Sequence, residues 1–475
     1  MIAPLSPAHL LGLLLAGAGI LWAVVKIGRF DRIAQVIVVV GVLLRLGAGI
    51  GLFLTSYHDV EWLRHARVGG GFWEPDALTY YTRAAEASRD GLQVISTDEA
   101  SPTYVKALAL SMDVLGISPL TGVYLNVVCY VAIGVLLVAA AGSIADGARR
   151  TATRLMLACF TRSPALILAS GQSLKDQFFV AWLVVSSLAI GPVVRWLAGQ
   201  PVSRTALGAA IPLLAVAVAI VSGIRPYVAL FIVVALGLVT LVYLVRPQPV
   251  SALRRAGRGA AILILLWIAF AQGAGAYYAG YEQRVLGVLG IERTGGSAAA
   301  VVESAREGFV RSGGRTNIAR PQSHAGDSMI RRLVIAFEAL GIGLVLMVTP
   351  AAVVNAAGLV DLPDTGGMGR VIDLDTLFVA LTCGAILWFA RRHHGRFSPG
   401  TPYVMYTAVV AVITTVLMAY VVTNLGTLFR LRTIPAAWIW LLPLALSPVL
   451  GGDEVQRAAA GSPSLATRNA AVPTE

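Results

Sequence analysis

Apolar residues fill this chain in blocks of roughly 20, parted by short polar connections, and a helix of that length crosses about 30 Å of hydrocarbon. Reading the blocks as helices places spans near 8–25, 33–55, 118–143, 153–170, 177–197, 205–222, 226–245, 259–279, 374–390, 402–423 and 433–450. A further apolar block, Met329–Val348, is followed by Pro350. If it crossed, the basic run at 391–396 would change sides, so an in-plane or re-entrant helix at the outer interface is expected there. The pattern predicts an all-α integral membrane protein of about 11 transmembrane helices plus that outer helix, with residues 1–450 forming one polytopic domain.

Charge orients this arrangement. The basic connections 26–32, 149–154, 195–204, 246–258 and 391–396 all fall on one side, as the positive-inside rule requires of the cytoplasmic face. No cationic segment precedes the first block and no small-residue cleavage site follows it, so a retained helix with its N-terminus outside is expected. Two long loops, 56–118 and 278–373, then lie on the outer, periplasmic side of a bacterial inner membrane. Residues 451–475, rich in Ala, Ser and Pro without periodicity, read as a disordered cytoplasmic tail.

Composition narrows the function classes. With 57% hydrophobic and 13% charged residues, the chain carries more apolar surface than a soluble core needs. The net charge of +12 is spent on topology, so membrane lipids and not nucleic acid are the expected surroundings. Cys129, Cys159 and Cys383 sit inside apolar blocks and read as packing residues, arguing against disulfides or zinc. There is no Walker A loop, no dinucleotide fingerprint and no HExxH, nor a cytoplasmic domain large enough to bind a nucleotide. Activated substrate or energy must come from the membrane or from a gradient.

Polar chemistry gathers at outer helix ends. In SGQSLKDQFF (170–179), Asp176 is favourable at a helix start and Ser173 is placed to cap it, but Lys175 opposes the helix dipole and suits an anion such as phosphate. The first outer loop carries GFWEPDALTYYTRAAE (71–86), where Asp76 reads either as a cap following Pro75 or as a general base, beside Glu74 and the aromatics Trp73, Tyr80 and Tyr81. Arg225, Arg430 and Arg432 lie at two further outer turns, where single arginines snorkel but several together suit a phosphate. Arg162 falls deep within an apolar block, at a cost of at least about 2.5 kcal/mol unless it pairs or meets water. The second outer loop, with Arg306, Arg311, Arg315, Arg320 and His324, reads as a solvated loop or an acceptor-binding surface, with an amphipathic helix at 297–310.

This layout resembles the GT-C class of multi-pass membrane glycosyltransferases. The likeness rests on Glu74, Asp76, Tyr80 and Tyr81 in the first long outer loop, the SerLeuLysAsp turn at 173–176, and GlyThrLeuPheArgLeuArg at 426–432. It implies transfer of a sugar, with inversion, from a polyprenyl-phosphate carrier to a glycan, lipid or protein acceptor of the cell envelope. By the same likeness Asp76 is the catalytic carboxylate, while Lys175, Arg225, Arg430 and Arg432 hold the carrier phosphate. The adjacent AspGlu pair of related bacterial enzymes is here GluProAsp, leaving open which carboxylate acts. No sugar nucleotide is needed, and a divalent metal stays open: Asp76 with Glu74 could bind one, but two carboxylates alone specify none. Two other readings are a polymerase or ligase of lipid-linked surface polysaccharide and a lipid or polysaccharide transporter. The transporter reading calls for broken helices and charge pairs near the bilayer midplane, whereas in the sequence the polar residues other than Arg162 gather at the outer edge.

Overall fold

The computed structural model of the chain describes residues 6–58, 72–96, 101–142, 146–246, 251–275, 318, 328–360, 367–422 and 425–447. The expected helix at 297–310, the arginines and His324 of the second long loop, and the tail at 451–475 lie outside the described residues. Among the described residues the protein is all-helical, and nine helices are long and apolar enough to cross a membrane. They are α1 (Pro7–Phe30), α2 (Arg32–Tyr57), α5 (Pro119–Ala141), α8 (Asp176–Leu197), α9 (Arg204–Ser222), α10 (Pro226–Val245), α11 (Ala252–Ala274), α14 (Gly367–Arg392) and α16 (Thr401–Val421). Proline opens many of the helices, where its missing N–H is no loss and its fixed φ suits the first turn. Helix α8 is the hub, 78% buried along its apolar window against 22% for α1 and α2, which form a flank.

Two of the expected spans are not continuous helices, and prolines stand beside the breaks. The block at 153–170 divides into α6 (Gly147–Arg162) and α7 (Pro164–Ser170). Pro164 has no N–H to give the Phe160 carbonyl four residues earlier. Arg45, in the middle of α2, supplies the missing donors: Nη2 donates to the Phe160 carbonyl at 2.7 Å and Nη1 to that of Thr161 at 3.3 Å. The block expected at 433–450 holds α18 (Thr433–Trp440) and a 3₁₀ turn (Leu442–Leu446), and a further break just before it parts α18 from α17 (Leu425–Leu431). Here Pro435 cannot bond to the Leu431 carbonyl, and α17 stops at Leu431.

Asp375 of α14 joins the two breaks. It accepts from the backbone N–H of Ala165 at 3.0 Å and from Arg432 Nε at 2.8 Å. The expectation that polar residues other than Arg162 stay at the edge is therefore corrected. Arg45 and Asp375, hidden inside predicted spans, are fully buried within the bundle. Arg162 itself is exposed at the end of α6.

The first long loop folds into α3 (Pro75–Asp90) and α4 (Pro102–Leu115), which pack together at the end of the bundle where α5, α8 and α10 begin, called here the loop end. At the opposite, basic end, Arg154 pairs with Asp31 at 2.8 Å and Arg396 with Asp146 at 3.2 Å. Helix α12 (Met329–Val348) stops just before Pro350, and the short α13 (Ala351–Ala356) follows, its first N–H bonded to Asp373 at 2.5 Å. Gly343 brings α12 against α16 so closely that a Cβ there would lie 1.9 Å from the Ala419 carbonyl oxygen.

Candidate functional site

The turn between α7 and α8 is where the sequence placed a charge pair, and its residues 171–174 are buried. Asn126 of α5 holds it, its amide donating to the carbonyls of Gln172 at 2.9 Å and Leu174 at 3.2 Å. Gly122 allows the close approach, since a Cβ there would stand 2.3 Å from the Ser173 hydroxyl. Ser173 does not cap α8; its buried hydroxyl makes no hydrogen bond among the described residues. The N-cap is Lys175, whose ammonium donates to Ser101 Oγ at 2.5 Å and lies 5.3 Å from the Tyr80 ring centre. Burial, reinforced by the neighbouring Arg225 and opposed by Asp176, pushes Lys175 down to about 7.

Around this turn, four segments converge through one chain of ion pairs. Asp176 accepts from Arg225, at the start of α10, and from Arg430 of α17 at 3.3 Å. Arg430 reaches on to Asp76 of α3 at 3.1 Å. Asp76 therefore serves neither as the N-cap, a position Glu74 occupies without a capping hydrogen bond, nor as an unpaired carboxylate. Burial raises Glu74 above the usual carboxylate range, against the pull of Arg430 and with help from Asp76. Glu74 makes no ion pair among the described residues. Burial works against the charge on Arg430, but Asp176, Asp76 and Glu74 together hold it more firmly protonated than an ordinary arginine. Arg225, only 3% exposed, has one edge on Asp176 and two donors, Nε and Nη1, without partners among the described residues.

Glu74, Asp76, Lys175, Asp176, Arg225 and Arg430 thus share one cluster, with Tyr80 beneath it. Tyr80 is buried edge-on against Tyr104, and burial pushes its phenol up to about 12. Tyr81 turns away and packs on Phe72, with ring centres 5.1 Å apart. Arg432 stands apart from the cluster, its guanidinium taken by Asp375, Thr376 and the Ile372 carbonyl. It closes the joint between the broken helices and has little left to offer a ligand.

Two residues absent from the sequence reading complete the site. Gln172 Oε1 accepts from the backbone N–H groups of Trp73 at 2.9 Å and Glu74 at 3.0 Å, tying the carboxylate loop to the lysine turn. Ser101 accepts from Lys175 and donates to the Ile224 carbonyl at 3.0 Å, fastening α4 to the turn that carries Arg225. Its φ of 64° puts it in the left-handed region, unique among the described non-glycine residues and of a kind that collects where geometry is held for a purpose. SerPro before a helix is a readable start signal, but nothing local tells which lysine the serine will meet.

No family model, curated protein or solved structure matches the chain. Three cations and three carboxylates meet here, and Nε and Nη1 of Arg225, without partners among the described residues, are the donors the cluster has left for an anion. Asp76 is held by Arg430, and no group of three His, Cys, Asp or Glu side chains stands together among the described residues.

Proposed function

We propose that the protein is a membrane glycosyltransferase of GT-C type, acting at the loop end on a polyprenyl-phosphate-linked sugar and an acceptor of the cell envelope. The observation that carries this reading is the meeting of the first-loop carboxylates with Lys175, Arg225 and Arg430 at the rim of an apolar bundle. A donor anchored in lipid presents its phosphate at that depth. The two unpartnered N–H groups of Arg225 and the ammonium of Lys175 are the groups to receive it.

Glu74 is the better general base, since Asp76 is committed to Arg430 while Glu74 is unpaired and its proton affinity is raised by burial. In the reaction the acceptor hydroxyl oxygen attacks the anomeric carbon, and its proton passes to Glu74. The bond from that carbon to the phosphate oxygen breaks, and the electron pair leaves on the phosphate, stabilised by Lys175 and Arg225. The configuration inverts. Lys175, near 7 in the free site, takes up a proton when the phosphodiester arrives. Donor binding should therefore weaken as pH rises through about 7 in wild type, and Lys175→Arg should remove that inflection.

The test is transfer of radiolabel from a panel of polyprenyl-phosphate sugars to an envelope-lipid extract by protein in lipid nanodiscs. Glu74→Gln should abolish transfer and keep donor binding, Asp76→Asn should reduce transfer, and Lys175→Ala should weaken binding. Absence of both binding and transfer with wild type across the panel would end this reading; full activity in Glu74→Gln would reassign the base.

Transport is the second reading, and the interrupted helices with their Asp375–Arg432 pair are the observation in its favour. It ranks second because Asp375 already has partners on both oxygens and presents no open ligand to a coupling ion. Translocation of a fluorescent lipid-linked saccharide in proteoliposomes, lost in Asp375→Asn, would promote it. A rate equal to that of protein-free vesicles would remove it.

A further inference from the structure

A groove of about 340 Å³ opens at the basic end, far along the bundle from the charge cluster. Its walls come from the last turns of α14, the short α15 (His394–Phe397), the first turns of α16 and the 3₁₀ turn at Leu442. Its lining combines apolar Ala390, Phe397, Val404 and Leu442 with Arg391, His394, Ser398 and Thr401. The basic residues enter where α14 passes from its apolar stretch into the run ArgArgHisHis at 391–394.

The charges nearby are not equivalent. Arg396 is matched by Asp146, Arg154 by Asp31, and Arg392 lies over the Trp388 ring at 5.5 Å. Arg391 and His394 face the groove without a carboxylate among the described residues, and no Asp or Glu lines it. An anion with an apolar body complements both kinds of lining residue, whereas a free inorganic anion would leave Phe397 and Leu442 unused. The volume suits a headgroup and the first part of an acyl chain, being within the range of small-molecule sites.

We propose that this groove is a binding site for one anionic phospholipid, its phosphodiester on Arg391 and His394 and its chain along Phe397, Val404 and Leu442. The site is independent of the transfer reaction and would hold the junction of α14, α15 and α16 together. Basic pockets between helices at the level of the headgroups are suited to such lipids, and one arginine there contributes about a fivefold change in affinity.

The experiment is native mass spectrometry of the full chain in neutral detergent, titrated with phosphatidylglycerol or phosphatidylcholine, with inorganic phosphate as a competitor. One phosphatidylglycerol should be retained in preference to phosphatidylcholine. Arg391→Ala should reduce that retention by about fivefold. Val404→Trp keeps Arg391 and His394 but fills the apolar part of the groove, and should also lose the lipid; this separates a built groove from general attraction to basic surface. Equal retention of the two lipids, displacement by millimolar phosphate alone, or unchanged binding in Val404→Trp with the fold intact by circular dichroism would each overturn the proposal.

Discussion

Replacing Asp176 with asparagine probes the centre of the charge cluster without assuming any activity. The Asp176 side chain is 6% exposed, and it holds Arg225, 4% exposed, and Arg430, 18% exposed. Removing its charge leaves one guanidinium buried and another half-shielded, and breaking a buried pair from one side costs about 3–5 kcal/mol. Asparagine keeps an oxygen to accept from Arg225, so the lower end, about 3 kcal/mol, is expected. That is roughly a hundredfold in the unfolding equilibrium. Asp76→Asn is the internal control: it breaks a pair to the same Arg430, but from a side chain 53% exposed, where about 0.2–1 kcal/mol is at stake. Both variants can be unfolded by dodecyl sulfate in mixed micelles and followed by circular dichroism. A double variant with Arg225→Gln should recover at least about 1 kcal/mol relative to the sum of the single losses, because the stranded cation is gone. If Asp176→Asn falls within about 1 kcal/mol of wild type, or the double variant is additive, the cluster is not a coupled buried network and its role in the site fails with it.

Three further outcomes follow from the same geometry. The Lys175 ammonium keeps its proton to about 10.4 in the unfolded chain and only to about 7 when folded, so the unfolded state binds more protons in between. Stability should rise with pH across that window, and Lys175→Met should flatten the rise in unfolding titrations. Gln172→Met keeps the side-chain length but removes the acceptor for the Trp73 and Glu74 N–H groups; a loss of about 1–3 kcal/mol in the same assay is expected. Gly343→Ala forces a methyl into the Ala419 carbonyl and should cost about 1–3 kcal/mol, whereas Gly341→Ala, with open space beside it, should be neutral or slightly stabilising.

The helical membrane architecture was legible because it depends on a local quantity, the length of apolar runs. What escaped was the continuity of two of them. A proline inside an apolar run is ambiguous in sequence, since Pro192 and Pro212 lie within unbroken helices while Pro164 and Pro435 mark breaks. The difference at Pro164 is a partner from elsewhere: Arg45, more than a hundred residues away, donates to the carbonyls that the proline leaves open. In the sequence Arg45 is one cation in a long apolar helix, and its purpose appears only when α2 lies against α6.

The site divides along the same line. Lys175, Arg225 and Arg430 stood out because each opposed the charge asymmetry expected of its loop, and that conflict is visible residue by residue. Arg432 stood out for the same reason and yet lies elsewhere, in the turn just past the short helix that carries Arg430, and the two guanidinia take different partners. Arg430 points to Asp76 and Asp176, Arg432 to Asp375. Gln172 and Ser101 carry no charge and gave no signal, although they set the spacing between carboxylates and cations. A neutral side chain becomes readable as part of a site only once its partners are known, and here both sets of partners come from other segments of the chain. The perturbation of greatest diagnostic value is thus at Gln172: its substitution changes no charge and touches no substrate, so a loss of transfer with donor affinity retained would show that the fixed distance between Glu74 and Lys175 matters, and not merely their presence.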